Sequence, residues 1–248
     1  MIKDALILMA GIGSRLRETR KDVPKPLIQI GGHAVFSYTI DALDRAGIET
    51  VHVITGYNSE PLIAGLAPLV PAGMALHSIH NPEWQKQNGV SVLVAKPHLT
   101  SPFLLLMGDH LFGPAIVQLL VRESDVNLLN VAVDRKVEAV FDLDDAMKVK
   151  TKSNRVEAIG KGLGDYDAID TGAFACPVSF FDYLERSRRD GDCSLADGVR
   201  AMAADGKVRA IDIGDAWWQD IDTPEMLVAA EKGLGGLDRR FTAGPSAP

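Results

Sequence analysis

The residues in this chain best suited to chemistry are those that handle phosphate and a hard cation. Leu8-Met-Ala-Gly-Ile-Gly-Ser-Arg15 leaves an apolar run and turns through two glycines. Gly11 and Gly13 permit backbone conformations and a close ligand approach that a Cβ would obstruct, so N–H groups can face an anion. Arg15 adds a planar, permanently charged donor fork. Further on, Lys25 stands between Pro24 and Pro26, whose rings stiffen the backbone carrying its ammonium. Taken singly, these motifs also read as a tight turn and a solvated loop lysine. A dinucleotide fingerprint is excluded, because its third glycine position holds Leu16, and no Gly-Lys-Ser/Thr phosphate loop occurs.

Carboxylates form the second group. Asp109 follows the apolar run Phe103 to Met107 in Gly108-Asp109-His110, at a strand end where open α/β sheets place ligands. Asp220 and Asp222 alternate in Trp217-Trp-Gln-Asp-Ile-Asp-Thr-Pro224, so an extended backbone points both the same way. Two or three such oxygens suit Mg²⁺, which keeps several waters and binds substrate phosphates. The structural alternatives are a turn aspartate at Asp109 and a helix N-cap at Asp222. In Gln87-Asn88-Gly89-Val-Ser91, the Asn88 amide can read a base edge and Gly89 lets a ring approach the backbone; helix capping is the other use of Asn88.

These groups need a scaffold that brings them together. Ala5 to Ala10, Thr50 to Thr55, Met74 to His80, Phe103 to Met107 and Val126 to Val133 are short apolar runs bounded by turn residues, and read as strands. Val35, Phe36, Thr39, Ile40 and Leu43 recur at helical spacing, with Gly47 as the stop. Strand, helix, strand in succession implies a Rossmann-like α/β domain: a mainly parallel sheet flanked by helices. From about Phe141 the rhythm changes. Met147-Lys-Val-Lys-Thr, a Ser153-Asn154 turn and Arg155-Val-Glu-Ala-Ile predict an antiparallel hairpin insertion. A strand over Ala168 to Cys176, a helix after Pro177, a strand near Val208 to Ile213 and a helix from Pro224 to Lys232 follow. We expect one domain over 1–238, with halves at about 1–135 and 136–238, and a flexible tail at 239–248.

Composition narrows the partners. The 248 residues are 46% hydrophobic and 24% charged, and the mean hydropathy of +0.05 is that of an ordinary globular chain. A net charge of −7 argues against tracking a nucleic-acid backbone. Cys176 and Cys193 are too few for a disulfide framework, which points to a cytoplasmic protein. No run approaches the about 20 apolar residues that span a bilayer.

The pairing of Gly-x-Gly-x-Arg with Pro-Lys-Pro resembles the signature of sugar-phosphate nucleotidyltransferases. Over nearly the whole chain, to about residue 232, the sequence resembles the CTP:inositol-1-phosphate cytidylyltransferases. The resemblance runs through Asn81-Pro-Glu-Trp, Asn88-Gly-Val-Ser-Val-Leu-Val-Ala-Lys96, Met107-Gly-Asp-His110, Ile159-Gly-Lys161, Asp167-Ala-Ile-Asp-Thr-Gly172 and Trp218-Gln-Asp-Ile-Asp-Thr223. Met9 stands where the family often has alanine.

The resemblance implies nucleotide binding by Leu8, Ala10, Gly11, Gly13, Ser14, Asn88, Gly89 and Ser91, and contact of Arg15 and Lys25 with the reacting phosphates. It implies Mg²⁺ on Asp109 with Asp220 or Asp222, and acceptor binding by Lys161, Asp170, Thr171 and Gly172. CTP and a phosphorylated small molecule are then the partners. A CDP-inositol product would pass to a separate membrane CDP-alcohol phosphatidyltransferase, and a homodimer is compatible with the family. A hexose 1-phosphate, phosphocholine or a phosphonate is the alternative acceptor. Choline is disfavoured by an acceptor segment, Lys161 to Phe174, whose only rings are Tyr166 and Phe174. A non-catalytic nucleotide-binding regulator is the alternative class, and a glycosyltransferase is disfavoured by its glycine signature. His110 is the weakest site residue, since transfer to an ionised phosphate needs no imidazole base.

Overall fold

The computed structural model describes residues 1–12 and 23–234. Gly13, Ser14 and Arg15 of the expected phosphate loop, and the expected tail, lie outside the described residues. In chain order, β1 (Asp4–Met9) precedes a 3₁₀ turn at Lys25–Leu27, β2 (Gln29–Ile30), β3 (His33–Ala34) and α1 (Val35–Arg45). Next come β4 (Thr50–Thr55), α2 (Ser59–Leu66), β5 (Ala75–His80), α3 (Asn88–Val94), β6 (Phe103–Met107), β7 (His110–Phe112) and α4 (Pro114–Glu123). The remainder is β8 (Leu129–Asp134), β9 (Lys148–Lys152), β10 (Arg155–Gly160), β11 (Ala168–Cys176), α5 (Phe180–Ser187), α6 (Leu195–Ala204), β12 (Val208–Asp212), β13 (Trp218–Asp220) and α7 (Pro224–Leu234).

Nine strands form one sheet in the order β5-β4-β1-β6-β11-β8-β12-β10-β9. The parallel expectation holds for β5, β4, β1 and β6. Beyond β6 it needs correction, because β11 runs antiparallel to both β6 and β8, and only the β8/β12 pair is parallel again. The sheet is therefore mixed. The expected hairpin exists: β9 and β10 pair antiparallel, with Ser153 at φ +56° in the turn. It extends the sheet edge, and β9 returns to pair with Ala168 and Ile169 at the start of β11.

Period-two alternation explains why both faces of the sheet are covered. Phe103 and Leu105 enter one core with Phe174, Phe180, Phe181 and Val199, while Leu104 and Leu106 enter the other with Phe36, Ile40 and Val117. The rings of Phe103 and Phe181 stack at 5.3 Å. Each buried Leu or Phe contributes about 1.5–3 kcal/mol, which fixes strand β6 and the turn that follows it. α1 buries the residues expected from its spacing, and Gly47 ends it with φ +77°. Helix α6 was not foreseen. Its start is a capping box in which the Ser194 hydroxyl accepts from the Asp197 N–H, and the Asp197 carboxylate accepts from the Ser194 N–H.

Candidate functional site

The site gathers at the carboxyl end of the parallel strands. β6 delivers Asp109 through Gly108, whose N–H donates to the Leu8 carbonyl at 3.1 Å. A Cβ at Gly108 would fall 2.6 Å from that carbonyl oxygen, so only glycine lets this turn lie against the end of β1. The late segment arrives by a second route. β13 pairs antiparallel with β7, setting Trp218 opposite Phe112 and Asp220 opposite His110, and the Ile221 N–H donates to the Asp109 carbonyl at 2.9 Å. Two strands too short to be stable alone thus carry Asp220 and Asp222 to Asp109.

Lys25 links the carboxylates. From the proline-flanked 3₁₀ turn its ammonium donates to Asp109 Oδ2 at 2.9 Å and to Asp222 Oδ1, with its side chain only 11% exposed. Burial works against the ammonium, but Asp109 and Asp222 outweigh it and raise Lys25 above the ordinary lysine range. Burial likewise opposes ionisation of Asp109, yet Lys25 and His110 hold that carboxyl well below the carboxylate range. His110 Nδ1 lies 2.9 Å from Asp109 Oδ1. The N-cap alternative for Asp222 is not what the fold uses, because the Met226 N–H donates to Thr223 Oγ1.

Asp220 shows whether a cation fits. Its Oδ1 is buried with no hydrogen-bond partner, and Asp109, His110 and Asp220 place ligand atoms within 4.8 Å of one another. Burial, with repulsion from Asp109 and Asp222 set against His110 and Lys25, pushes Asp220 up to about 6. A divalent cation would relieve both the orphaned oxygen and the repulsion, and an oxygen-rich donor set matches Mg²⁺.

A cavity of about 690 Å³ opens beside this cluster, lined by Asp109, Asp170, Gly172, Lys161, Arg200 and Trp218 among others. Asp170 is pushed up to about 7 by burial, against the opposing effects of the Gly172 N–H bond at 2.8 Å and of His110. The arrangement joins a carboxylate and ammonium cluster suited to phosphate chemistry to a pocket that can take a small polar molecule.

Residues 5–144 match the MobA-like NTP transferase domain. The chain belongs to that family. The chain is 34% identical over 244 residues to the bifunctional IPC transferase and DIPP synthase of Rubrobacter xylanophilus, covering 97% of this chain and 54% of the relative. It is 31% identical to the protein of the same name from Archaeoglobus fulgidus, covering 93% of this chain and 43% of the relative. The chain spans about half the length of the curated relatives it matches. The inositol-1-phosphate CTP transferase of T. maritima superposes with a TM-score of 0.83 at 24% identity, covering 96% of this chain and 98% of that one, which shows a shared fold.

Within this nucleotidyltransferase the structure sorts the expected residues. Lys25, Asp109, Asp220 and Asp222 converge, and Asp170, Gly172 and Lys161 line the cavity. Leu8 lies in β1 and Ala10 just after it, their carbonyls taken by the N–H groups of Gly108 and Tyr57, and none of the described residues lies within 4 Å of where a Cβ on the exposed Gly11 would stand. Asn88 also lines the cavity, but its Oδ1 accepts from the Leu195 N–H at 2.8 Å, leaving the amide nitrogen as what it can offer a ligand. Gly89 packs on the chain: a Cβ there would sit 2.7 Å from the Cys193 carbonyl oxygen.

Two expectations need correction. Thr171 is fully buried and donates to the Ala132 carbonyl at 2.9 Å, because strand alternation turns it away from the face that carries Asp170. Ser91 is 4% exposed and accepts from Asn81 Nδ2, so helix α3 points it into the core. Sequence reasoning also missed groups lining the cavity. Arg200 sits on the unforeseen α6, whose Ser194-x-x-Asp197 signal was available. Phe141, Trp217 and Trp218 reach the cavity from outside the Lys161 to Phe174 segment, so a shortage of rings is no argument against choline. No helix of the described residues is long and apolar enough to cross a membrane.

Proposed function

We propose that this domain transfers CMP from CTP to inositol 1-phosphate, with Mg²⁺, releasing CDP-inositol and pyrophosphate. The observation that carries the reading is the convergence of Lys25 with Asp109 and Asp222, which line a cavity that also contains Asp170. The choice of CTP and inositol phosphate is supported by the full-length likeness to a fold known as an inositol-1-phosphate CTP transferase and by the sequence segments from Asn88 to Asp222. Asp109, Asp220 and Asp222 would hold Mg²⁺, which when bound neutralises the reacting phosphates.

In this reading the acceptor phosphate oxygen attacks the α-phosphorus of CTP in line, forming one P–O bond as the bond to pyrophosphate breaks. Both nucleophile and leaving group are already ionised, so positioning and charge compensation are the protein's work. Lys25 compensates charge moving onto pyrophosphate. Asp170 accepts hydrogen bonds from acceptor hydroxyls, and the rings of Phe141 and Trp217 give the cavity apolar lining. A membrane CDP-alcohol phosphatidyltransferase is the partner activity that would consume the product.

Pyrophosphate release with CTP or UTP against inositol 1-phosphate, glucose 1-phosphate and phosphocholine tests the assignment. CTP with inositol 1-phosphate should be fastest. Faster release with another acceptor would sink the named substrate while leaving nucleotidyl transfer in place.

A further inference from the structure

We infer that His110 is a positioning residue that fixes the carboxylate of Asp109 for cation binding. The inference rests on the cation role proposed for Asp109. An aspartate at a strand end turns readily about its side-chain torsions, and a ligand that must first be ordered binds more weakly. Here both oxygens are assigned: Oδ2 faces Lys25, and Oδ1 meets His110 Nδ1 at 2.9 Å.

The imidazole is itself held in place. It lies nearly parallel to Trp218, at 5.8 Å and 8°, and to Phe112, at 5.9 Å and 16°. Trp218 is anchored in turn, because its Nε1–H donates to the buried Asp134 at 3.0 Å. At the ring's other edge comes Gly172, where a Cβ would stand 3.1 Å from Nε2 and Cδ2. The backbone pairing of His110 with Asp220 fixes the depth of the ring. A residue serving only to fill space would need neither the anchored indole nor an Nδ1 aimed at one carboxylate oxygen. Although the His110 ring lies within the cluster of potential ligand atoms, its Nδ1 is committed to Asp109, and partners that orient a ligand in this way commonly set metal affinity.

Three substitutions separate the donor from the filler. His110→Phe keeps a flat ring and removes the donor; His110→Asn places an amide N–H near the Nδ1 position; His110→Gln places it near Nε2. Mg²⁺ is titrated calorimetrically into nucleotide-free protein, with Asp109→Ala as reference and thermal unfolding in chelator as the check on folding. We expect Phe and Gln to weaken Mg²⁺ by about 10-fold or more and Asn to restore it to within about 3-fold. Mg²⁺ binding by the Phe variant equal to the unsubstituted protein overturns the inference, as does failure of Asn to exceed Gln. Mg²⁺ binding that is absent, or that persists in Asp109→Ala, overturns it too. If the Phe variant does not fold, the Asn and Gln comparison decides. None of these readouts involves CTP or acceptor, so failure of the substrate assignment is a separate result.

Discussion

The two ends of the site are built differently. Around Lys25 one largely buried ammonium spans two half-buried carboxylates, with an imidazole on the far oxygen of Asp109. At the other end, Lys161 pairs with Asp145 at 2.5 Å and Arg200 with Asp197 at 2.5 Å, yet the cations are 53% and 48% exposed. Water screens exposed pairs and returns little stability for them, whereas a largely buried ammonium is costly to leave unpaired. The end proposed to carry the reaction is thus fixed by the fold. The end proposed to hold the acceptor can change its residues with small effects on stability.

The largest expected effect sharpens this contrast. Lys25→Met keeps the aliphatic stem and removes the charge, and turnover in the pyrophosphate assay should fall by about 100-fold to 1000-fold. A loss confined to the acceptor KM would instead place Lys25 in uniform ground-state binding and erase the distinction between the ends.

Asp170 lies between the two regimes. Asp170→Asn should reduce kcat/KM for inositol 1-phosphate by an amount equivalent to about 1–3 kcal/mol, with a smaller loss for an acceptor lacking the matching hydroxyls. Its pH dependence has a definite sign. With the folded carboxyl raised to about 7, the native state keeps a proton that the unfolded chain loses near pH 4, so stability falls as pH rises through that window and then levels. The Asn variant lacks this loss. Urea midpoints measured between pH 4.5 and 7.5 should favour the variant increasingly as pH rises; a constant difference would show that burial does not control this carboxyl.

The smallest effect belongs to the exposed end. Lys161→Ala should change unfolding free energy by no more than about 0.5 kcal/mol while raising the acceptor KM. A large fall in the urea midpoint would show that the Lys161 and Asp145 pair is structural and break the comparison at its weaker side.

Legibility in the sequence followed the range of the interactions involved. Thr50 to Thr55, Phe103 to Met107 and Ala168 to Cys176 could be read with their ends because each is an apolar run closed by turn residues. The turn at Ser153 was equally local. Asp109 and Lys25 could be named as site residues, but their contact depends on a separation of 84 positions that no local pattern encodes. The extended stretch that holds β13 was readable, but β7 and its pairing with β13 were not, since three-residue strands have no periodicity to read and exist through each other. Thr171 was misplaced because a sequence segment was carried over whole, although a strand sends neighbouring side chains to opposite faces. Arg200 went unseen with its helix, even though the serine and aspartate that cap it were in view.

The bond between Lys25 and Asp222 spans 197 positions. During synthesis the chain emerges from its amino end, and the strands around β1 can begin to assemble long before Asp222 leaves the ribosome. Until then Lys25 has at most one of its two carboxylates, and Asp109 lacks the β13 segment that packs over β7. A nascent chain therefore holds Asp109 and the central strand without the complete carboxylate cluster. On the proposed function, activity would require that segment to dock, which would make it a reporter that β13 has paired with β7.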